Sequence, residues 1–348
     1  MLGATAGAIA LAALTRYVDL GSVTAFACSG LAVALLAAVV GRSVDQLGDR
    51  FGPGATGVLQ SALGNLPELF IGVFALRAGL TGVVQAAIIG SILGNALLVL
   101  GLAFLVGGLK HGTQQFSSAR ARTTSVLLVL AVSALVVPSL AAYVHTPAAP
   151  HEGALSVIVS VVLLLVFALS LPAALSRRAH LGPDGAAEEV EGEPPRWPLP
   201  LALVLLTTSS LLAALVSDWF VTALEPAIET LNISQAFAGL VIVAVAGNAV
   251  ENVVGIQLAA KNRADYALSV IVNSPLQIAL VLAPVLVLLS HVVGGAVLTL
   301  VFSPMLVVAV ALAVITVTIA IVDGESDWLE GCALVGLYGV IAASFWWG

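Results

Sequence analysis

Two glutamates, Glu68 and Glu251, stand inside stretches that are otherwise apolar. A carboxylate in hydrocarbon costs at least about 3 kcal/mol unless it is paired, protonated or bound to a metal ion, so each marks a place where a cation or a proton is expected to sit. Asn65 precedes Glu68 by three residues and Asn248 precedes Glu251 by three, which puts each amide on the helix face of its acid. Gly64 and Gly247, four residues before the glutamates, weaken the helix locally and admit close approach of another backbone. The following apolar segments add Gln85, Ser91 and Asn95 in the first half and Asn273, Ser274 and Gln277 in the second. Pro67 and Pro275 cannot donate to the carbonyls of Leu63 and Ile271, which could supply further oxygens. Two negative charges among neutral oxygens suit a hard divalent cation such as Ca²⁺ and not a soft metal that wants thiolate or imidazole. Each group also has a plainer reading, the neutral ones as hydrogen-bonding glue between helices and the acids as protonated carboxyls bonded to a neighbour.

The elements that must hold these residues are membrane helices. Of 348 residues 60% are apolar and 9% charged, against about 25% charged in a soluble domain. Apolar runs long enough to cross a bilayer recur from end to end, at residues 3–18, 22–41, 53–77, 82–108, 122–143, 153–175, 199–217, 232–259, 264–290, 296–322 and 328–347. The first lacks the basic start and the cleavage site of a signal peptide and reads as a membrane helix. The expected class is therefore an all-α polytopic membrane protein of about eleven transmembrane helices. Cys28 and Cys332 have no spacing that suggests a disulfide framework or a metal site. Twelve basic residues among nineteen acidic ones leave no patch for a nucleic acid.

With a cytoplasmic amino terminus, ten basic residues fall on the cytoplasmic side (Arg42, Arg50, Lys110, Arg120, Arg122, Arg177, Arg178, Arg196, Lys261 and Arg263) and only Arg16 and Arg77 on the other, as the positive-inside rule requires. Residues 177–198, rich in proline, glycine and acid, divide the chain. The halves repeat: Gly64-Asn65-Leu66-Pro67-Glu68 aligns with Gly247-Asn248-Ala249-Val250-Glu251 at an offset of 251 − 68 = 183, which also places Gly72 on Gly255 and Ser91 on Ser274. A duplication with five spans per copy must invert one copy, and inverted repeats bring their binding site to the bilayer midplane. The expected units are an amino-terminal helix at 1–21, a first five-helix repeat at 22–176, an acidic cytoplasmic linker at 177–198 and a second five-helix repeat at 199–348. The linker is read as a solvated connection, or alternatively as a weak gatherer of calcium at the mouth.

GNLPELFIGVFALRAG from Gly64, VQAAIIGSILGNALLVLG from Val84, GNAVEN from Gly247 and VNSPLQIAL from Val272 together resemble the two α-repeats of the calcium/cation exchanger superfamily, and the Gly-Asn-x-x-Glu form resembles its calcium/proton antiporter branch. The likeness extends to Gly41-Arg42-Ser43 and Ala119–Thr123. It implies a transporter rather than an enzyme, in a cell membrane, that exchanges Ca²⁺ for H⁺ by alternating access, with Ca²⁺ as substrate, no cofactor, and a homo-oligomer as a compatible state. Glu68 and Glu251 would carry cation and proton in turn, with Asn65, Asn248, Gln85, Ser91, Ser274 and Gln277 lining the site. In one position the chain departs from the family pattern, with Asn252 where a histidine is common. Sodium-coupled or broader divalent exchange is the alternative within transport, and an intramembrane hydrolase using paired acids the alternative outside it.

Overall fold

The computed structural model describes residues 1–18, 20–51, 63–179 and 197–347, and within the helices it leaves out the side chains of residues 49, 51, 172–179 and 249–251. Most of the expected acidic linker and the Glu251 side chain lie outside the described residues. Helices follow one another almost without interruption: α1 (Leu2–Tyr17), α2 (Ser22–Phe51), α3 (Leu66–Arg77), α4 (Thr81–His111), α5 (Ser118–Tyr143), α6 (Glu152–Ala179), α7 (Leu199–Leu231), α8 (Gln235–Gly247), α9 (Ala249–Ala260), α10 (Ala264–Ser290), α11 (Pro304–Ile321) and α12 (Trp328–Ser344). Seven are long and apolar enough to cross a membrane, and α8 with α9, bent by 64°, makes an eighth crossing if counted as one. The expected total of eleven therefore depends on α1, α3 and α12, which are shorter.

The repeat is visible in the backbone. Asn65 sits at φ −92°, ψ 18° and Asn248 at φ −92°, ψ 23°, in the sparsely populated bridge region, so each motif helix breaks at the same point before its glutamate. Proline is not what breaks it, because Val250 stands where Pro67 does. At the second break the Asn248 side chain supplies a cause: its Nδ2 donates to the Ala244 carbonyl at 2.9 Å, the acceptor that the backbone N–H also uses at 3.2 Å, and such competition loosens a helix. The next helix in each half widens into a π turn at matched positions, Gly94–Val99 in α4 and Ile278–Leu282 in α10, a distortion frequent at functional sites.

Four expected spans differ, the first being span two, whose helix continues from residue 41 to Phe51. Span seven continues from residue 217 to Leu231, because Asp218, Glu225 and Glu229 lie on an exposed face and do not stop the helix. Span eight is two helices. Span ten begins at Pro304, not 296, and residues 291–303 are non-helical. That segment is apolar, with Leu298, Leu300 and Phe302 buried, and side chains satisfy its backbone. Gln85 donates to the Thr299 and Val301 carbonyls, both at 3.0 Å, Ser139 and Tyr143 donate to Leu300 and Phe302, and Ser290, Ser156 and Ser139 accept from the N–H groups of Leu298, Leu300 and Phe302. Non-helical backbone is tolerated at such depth only when so paired.

The loops sort onto two ends of the bundle. At one, β1 (Gln114–Gln115) pairs antiparallel with β2 (Glu325–Ser326), Gln114 donates to the Ala259 carbonyl at 3.1 Å, Arg120 forms an ion pair with Asp265, and Trp197 bonds Gln46. At the other, Ala296 donates to the Leu76 carbonyl at 3.0 Å and Ser22 to that of Pro226. Leu76 and Ala259 are again 183 residues apart, so the loop after α4 holds the end of α9 as the loop after α10 holds the end of α3. Between the ends, α4 and α10 are the most enclosed spans, with 78% and 67% of their apolar windows buried against 22% for α6 and α7. The site therefore has to lie around α4 and α10.

Candidate cation site

Four of the singled-out polar residues interlock where the broken helices meet α4 and α10. Asn248 is the hub: its Nδ2 donates to Ser91 Oγ at 2.9 Å, and its Oδ1 accepts from Asn95 Nδ2 at 3.0 Å and from Ser274 Oγ at 3.2 Å. All four side chains are buried. Buried amides and hydroxyls of this kind are held by their mutual bonds, because each would be costly to leave unpaired. Residues from both halves thus share one network. On the other side of the site, Asn65 Nδ2 approaches Gln277 Oε1 at 3.4 Å, also from opposite halves.

Glu68, in the first turn of α3, leans on the second motif. A Cβ built on Gly247 would lie 2.6 Å from Glu68 Cγ, 3.0 Å from its Cδ and 3.2 Å from its Oε1. The glycine of one repeat is the seat of the other repeat's carboxylate, and it stands one helical turn before Glu251. A cavity leads away from Glu68 and Ser91 between α3 and α4, past Gly72, Val84 and Ile88, with Leu282 and Leu286 of α10 as its third wall. The matching position in the second half is closed, since Gly255 of α9 packs directly against Ile271 of α10.

The structure therefore brings together Glu68, Asn248, Ser91 and Ser274, with Asn65 and Gln277 beside them, and places the backbone of Glu251 one turn from Gly247. Gln85 is elsewhere: its amide is engaged with the 299–301 carbonyls, six residues or about 9 Å along α4 from Ser91. Asn273 points away, exposed, with Ser269 as its partner at 3.4 Å. Asn95, singled out in the sequence beside Gln85 and Ser91, joins the network. Its Nδ2 is held by the Ser91 carbonyl and Asn248, which leaves Oδ1 buried with no hydrogen-bond partner among the described residues, an acceptor suited to a cation. Its spacing of four from Ser91 was the sequence signal. The set is not symmetric, since Gly94 and Ile278 stand at the repeat equivalents of Gln277 and Asn95. Among the described residues no three His, Cys, Asp or Glu side chains form a metal-holding cluster.

A family model described as sodium/calcium exchanger protein matches residues 21–175 and 201–347. The Ca²⁺/H⁺ antiporter of Synechocystis sp. is 36% identical over 340 residues, covering 93% of this chain and 91% of that protein. The Ca²⁺/H⁺ antiporter ChaA of Bacillus subtilis is 36% identical over 326 residues, covering 93% and 92%. Among solved structures, native YfkE superposes with a TM-score of 0.84 at 32% identity over 98% of both chains.

Proposed function

The chain belongs to the sodium/calcium exchanger protein family, and from that premise we propose that it exchanges Ca²⁺ for H⁺ by alternating access, with Glu68 and Glu251 as the shared carriers. The observation that carries this reading is the seating of Glu68 against Gly247, one turn from Glu251, which draws the two acid positions of opposite repeats to one place. The names of the relatives, Ca²⁺/H⁺ antiporters, support the choice of ions. A divalent ion needs both carboxylates ionised. Neutral oxygens from Asn65, Asn248, Ser91, Ser274 and Gln277, with Asn95 added, complete a set of the number and hardness that Ca²⁺ takes. Gln85 supports the site from a distance by fixing the 299–301 segment.

Exchange follows from competition for the same two acids. Burial disfavours the charged form of a carboxylate, so a site that has released Ca²⁺ reloads with protons, and the neutral site can reorient through the hydrocarbon where a charged empty one would pay the penalty of a bare carboxylate. We place the amino terminus on the cytoplasmic side, because that choice puts Lys110, Arg120, Lys261 and Arg263 inside, at the end tied by Arg120–Asp265 and Gln114–Ala259, and we read the membrane as the cell membrane. The deciding experiment is Ca²⁺ flux in proteoliposomes under imposed pH and Na⁺ gradients. A pH gradient is expected to drive Ca²⁺ uptake and Ca²⁺ to drive proton countermovement. Uptake that follows the Na⁺ gradient and ignores pH would replace the reading with sodium-coupled exchange.

A further inference from the structure

At the end of the bundle away from β1 and β2, a notch opens between α1 and α7 over α2, separate from the cation site. Its walls carry Thr15, Arg16, Ser22, Ser29, Trp219 and Thr222. Arg16 takes part in no ion pair among the described residues. The hydroxyls there are engaged with neighbouring groups: Thr15 donates to Ala12 at 2.9 Å, Ser29 to Ala25 at 2.7 Å and Thr222 to Asp218 at 2.8 Å, and Ser22 lies 3.3 Å from the Pro226 carbonyl and 3.1 Å from the Thr230 hydroxyl. A hydroxyl oxygen whose hydrogen is so engaged can meet a ligand only as an acceptor. The notch thus offers one strong cationic donor beside a group of acceptors, with the Asp218 carboxylate one turn from Thr222 on the same face of α7. Tyr17 and Trp219 pack edge to face at its rim, ring centroids 6.3 Å apart, as aromatic side chains do at the level of lipid headgroups. Deeper along the same two helices the surface turns apolar, with Leu11 on α1 and Leu211 and Leu215 on α7 all exposed.

We infer that this notch holds a phospholipid whose headgroup carries a phosphate and a primary ammonium. The phosphate lies on Arg16, the ammonium donates to the hydroxyl oxygens of Ser22 and Thr222 with Asp218 nearby, and an acyl chain runs along the exposed leucines. The match is one of polarity along the groove: cation and acceptors at the membrane surface, aromatic rim, then hydrocarbon. A headgroup bearing a quaternary ammonium has no N–H for the acceptors, and one without an ammonium leaves them unused, so both should bind less well. Inorganic phosphate meets Arg16 alone.

The test is native mass spectrometry of the detergent-solubilised protein titrated with phosphatidylethanolamine, phosphatidylcholine, phosphatidylglycerol and, separately, inorganic phosphate. Phosphatidylethanolamine is expected to be retained best. Arg16→Gln is expected to weaken that retention by roughly tenfold or more, since it removes a charge-assisted bond, while Arg77→Gln, which removes the other basic residue at this end, leaves it unchanged. Should Arg16→Gln fold poorly, Thr222→Leu, which fills the notch with carbon, is expected to give the same loss. Equal retention of the three lipids by wild type and both notch variants would overturn the inference, as would displacement of the lipid by millimolar inorganic phosphate, which would make this a free-phosphate site.

Discussion

Adding a single methyl group at Gly247 tests how the two repeats meet. In Gly247→Ala the new Cβ would stand 2.6 Å from Glu68 Cγ and 3.0 Å from Cδ, whereas carbon atoms rest about 3.5–4.0 Å apart. The obstruction is the arm of a flexible side chain, so the protein can fold by moving that arm about 1 Å. The carboxylate moves with it, away from the turn that carries Glu251. Overpacking of this size costs about 1–3 kcal/mol. Charged against cation binding at about 1.4 kcal/mol per tenfold, it predicts a fall in apparent Ca²⁺ affinity of roughly 5- to 150-fold. Gly336→Ala in α12, where a Cβ meets nothing within 4 Å, is the control. The assay is Ca²⁺ uptake against concentration in proteoliposomes, with gel filtration as the check on folding. Uptake by folded Gly247→Ala at wild-type affinity would refute the idea that this glycine seats the opposite acid.

Glu68→Gln and Glu251→Gln are each expected to abolish Ca²⁺-driven proton movement in a correctly folded protein, because one remaining carboxylate does not balance a divalent charge; ordinary flux in either variant would remove that residue from the pair of carriers. Gln85→Ala is expected to lower the thermal midpoint, since two part-buried carbonyls lose their donor at about 1 kcal/mol each, and to leave Ca²⁺ affinity within about twofold; a large affinity loss with unchanged stability would return Gln85 to the site. Gly255→Val inserts a branched side chain between α9 and Ile271 and is expected to part α9 from α10. Thiol labelling at Ala75→Cys, on the cavity between α3 and α4, would then slow at least severalfold, and unchanged labelling would show that the two pathways are not coupled.

The glutamate pair was legible because duplication leaves matched motifs and because ionisable groups are rare in apolar runs. Both signals are local, and they singled out Asn65, Asn248, Ser91 and Ser274, which the fold gathers around Glu68 and Gly247. What the sequence concealed was the identity of hydrogen-bond partners across helices. Gln85 resembles a site residue in type and spacing, yet its partners are carbonyls more than 200 residues away, at Thr299 and Val301. The segment 291–303 reads as the start of a span because hydropathy counts its valines and leucines and cannot count the serines and tyrosine on α5, α6 and α10 that replace a helix's own bonds. The opposite error affected α7. Its acids end the hydropathic run at 217, but they occupy one exposed face, and the face buried by Trp219, Phe220 and Leu224 continues. Phe220 stacks on Phe26 of α2 with centroids 4.7 Å apart, so packing carries the helix past the point where hydropathy stops.

The backbone obeys the repeat more closely than the side chains do, so the two halves of this one conformation are not equivalent around the site. Breaks at Asn65 and Asn248, π turns in α4 and α10, and the clamps on Leu76 and Ala259 are all related by the offset of 183. The glycines that follow the acids are related in position but not in what they touch. Gly255 is shut against Ile271, whereas Gly72 stands across a cavity from Ile88, the repeat equivalent of Ile271 at 271 − 183 = 88, and meets Leu286 instead. Two copies of one packing motif thus rest on different partners, Gly255 on Ile271 and Gly72 on Leu286, with a cavity lying between Gly72 and Ile88. Because the copies are inverted, exchanging those partners would close Gly72 on Ile88 and release Gly255 from Ile271, moving the cavity from the side of the site toward Arg77 to the side toward Arg120. The Asn248 network need not break for this, since it lies between the two glycine contacts. A fixed site with one glycine seal on either side, only one of them shut at a time, is the least that alternating access requires.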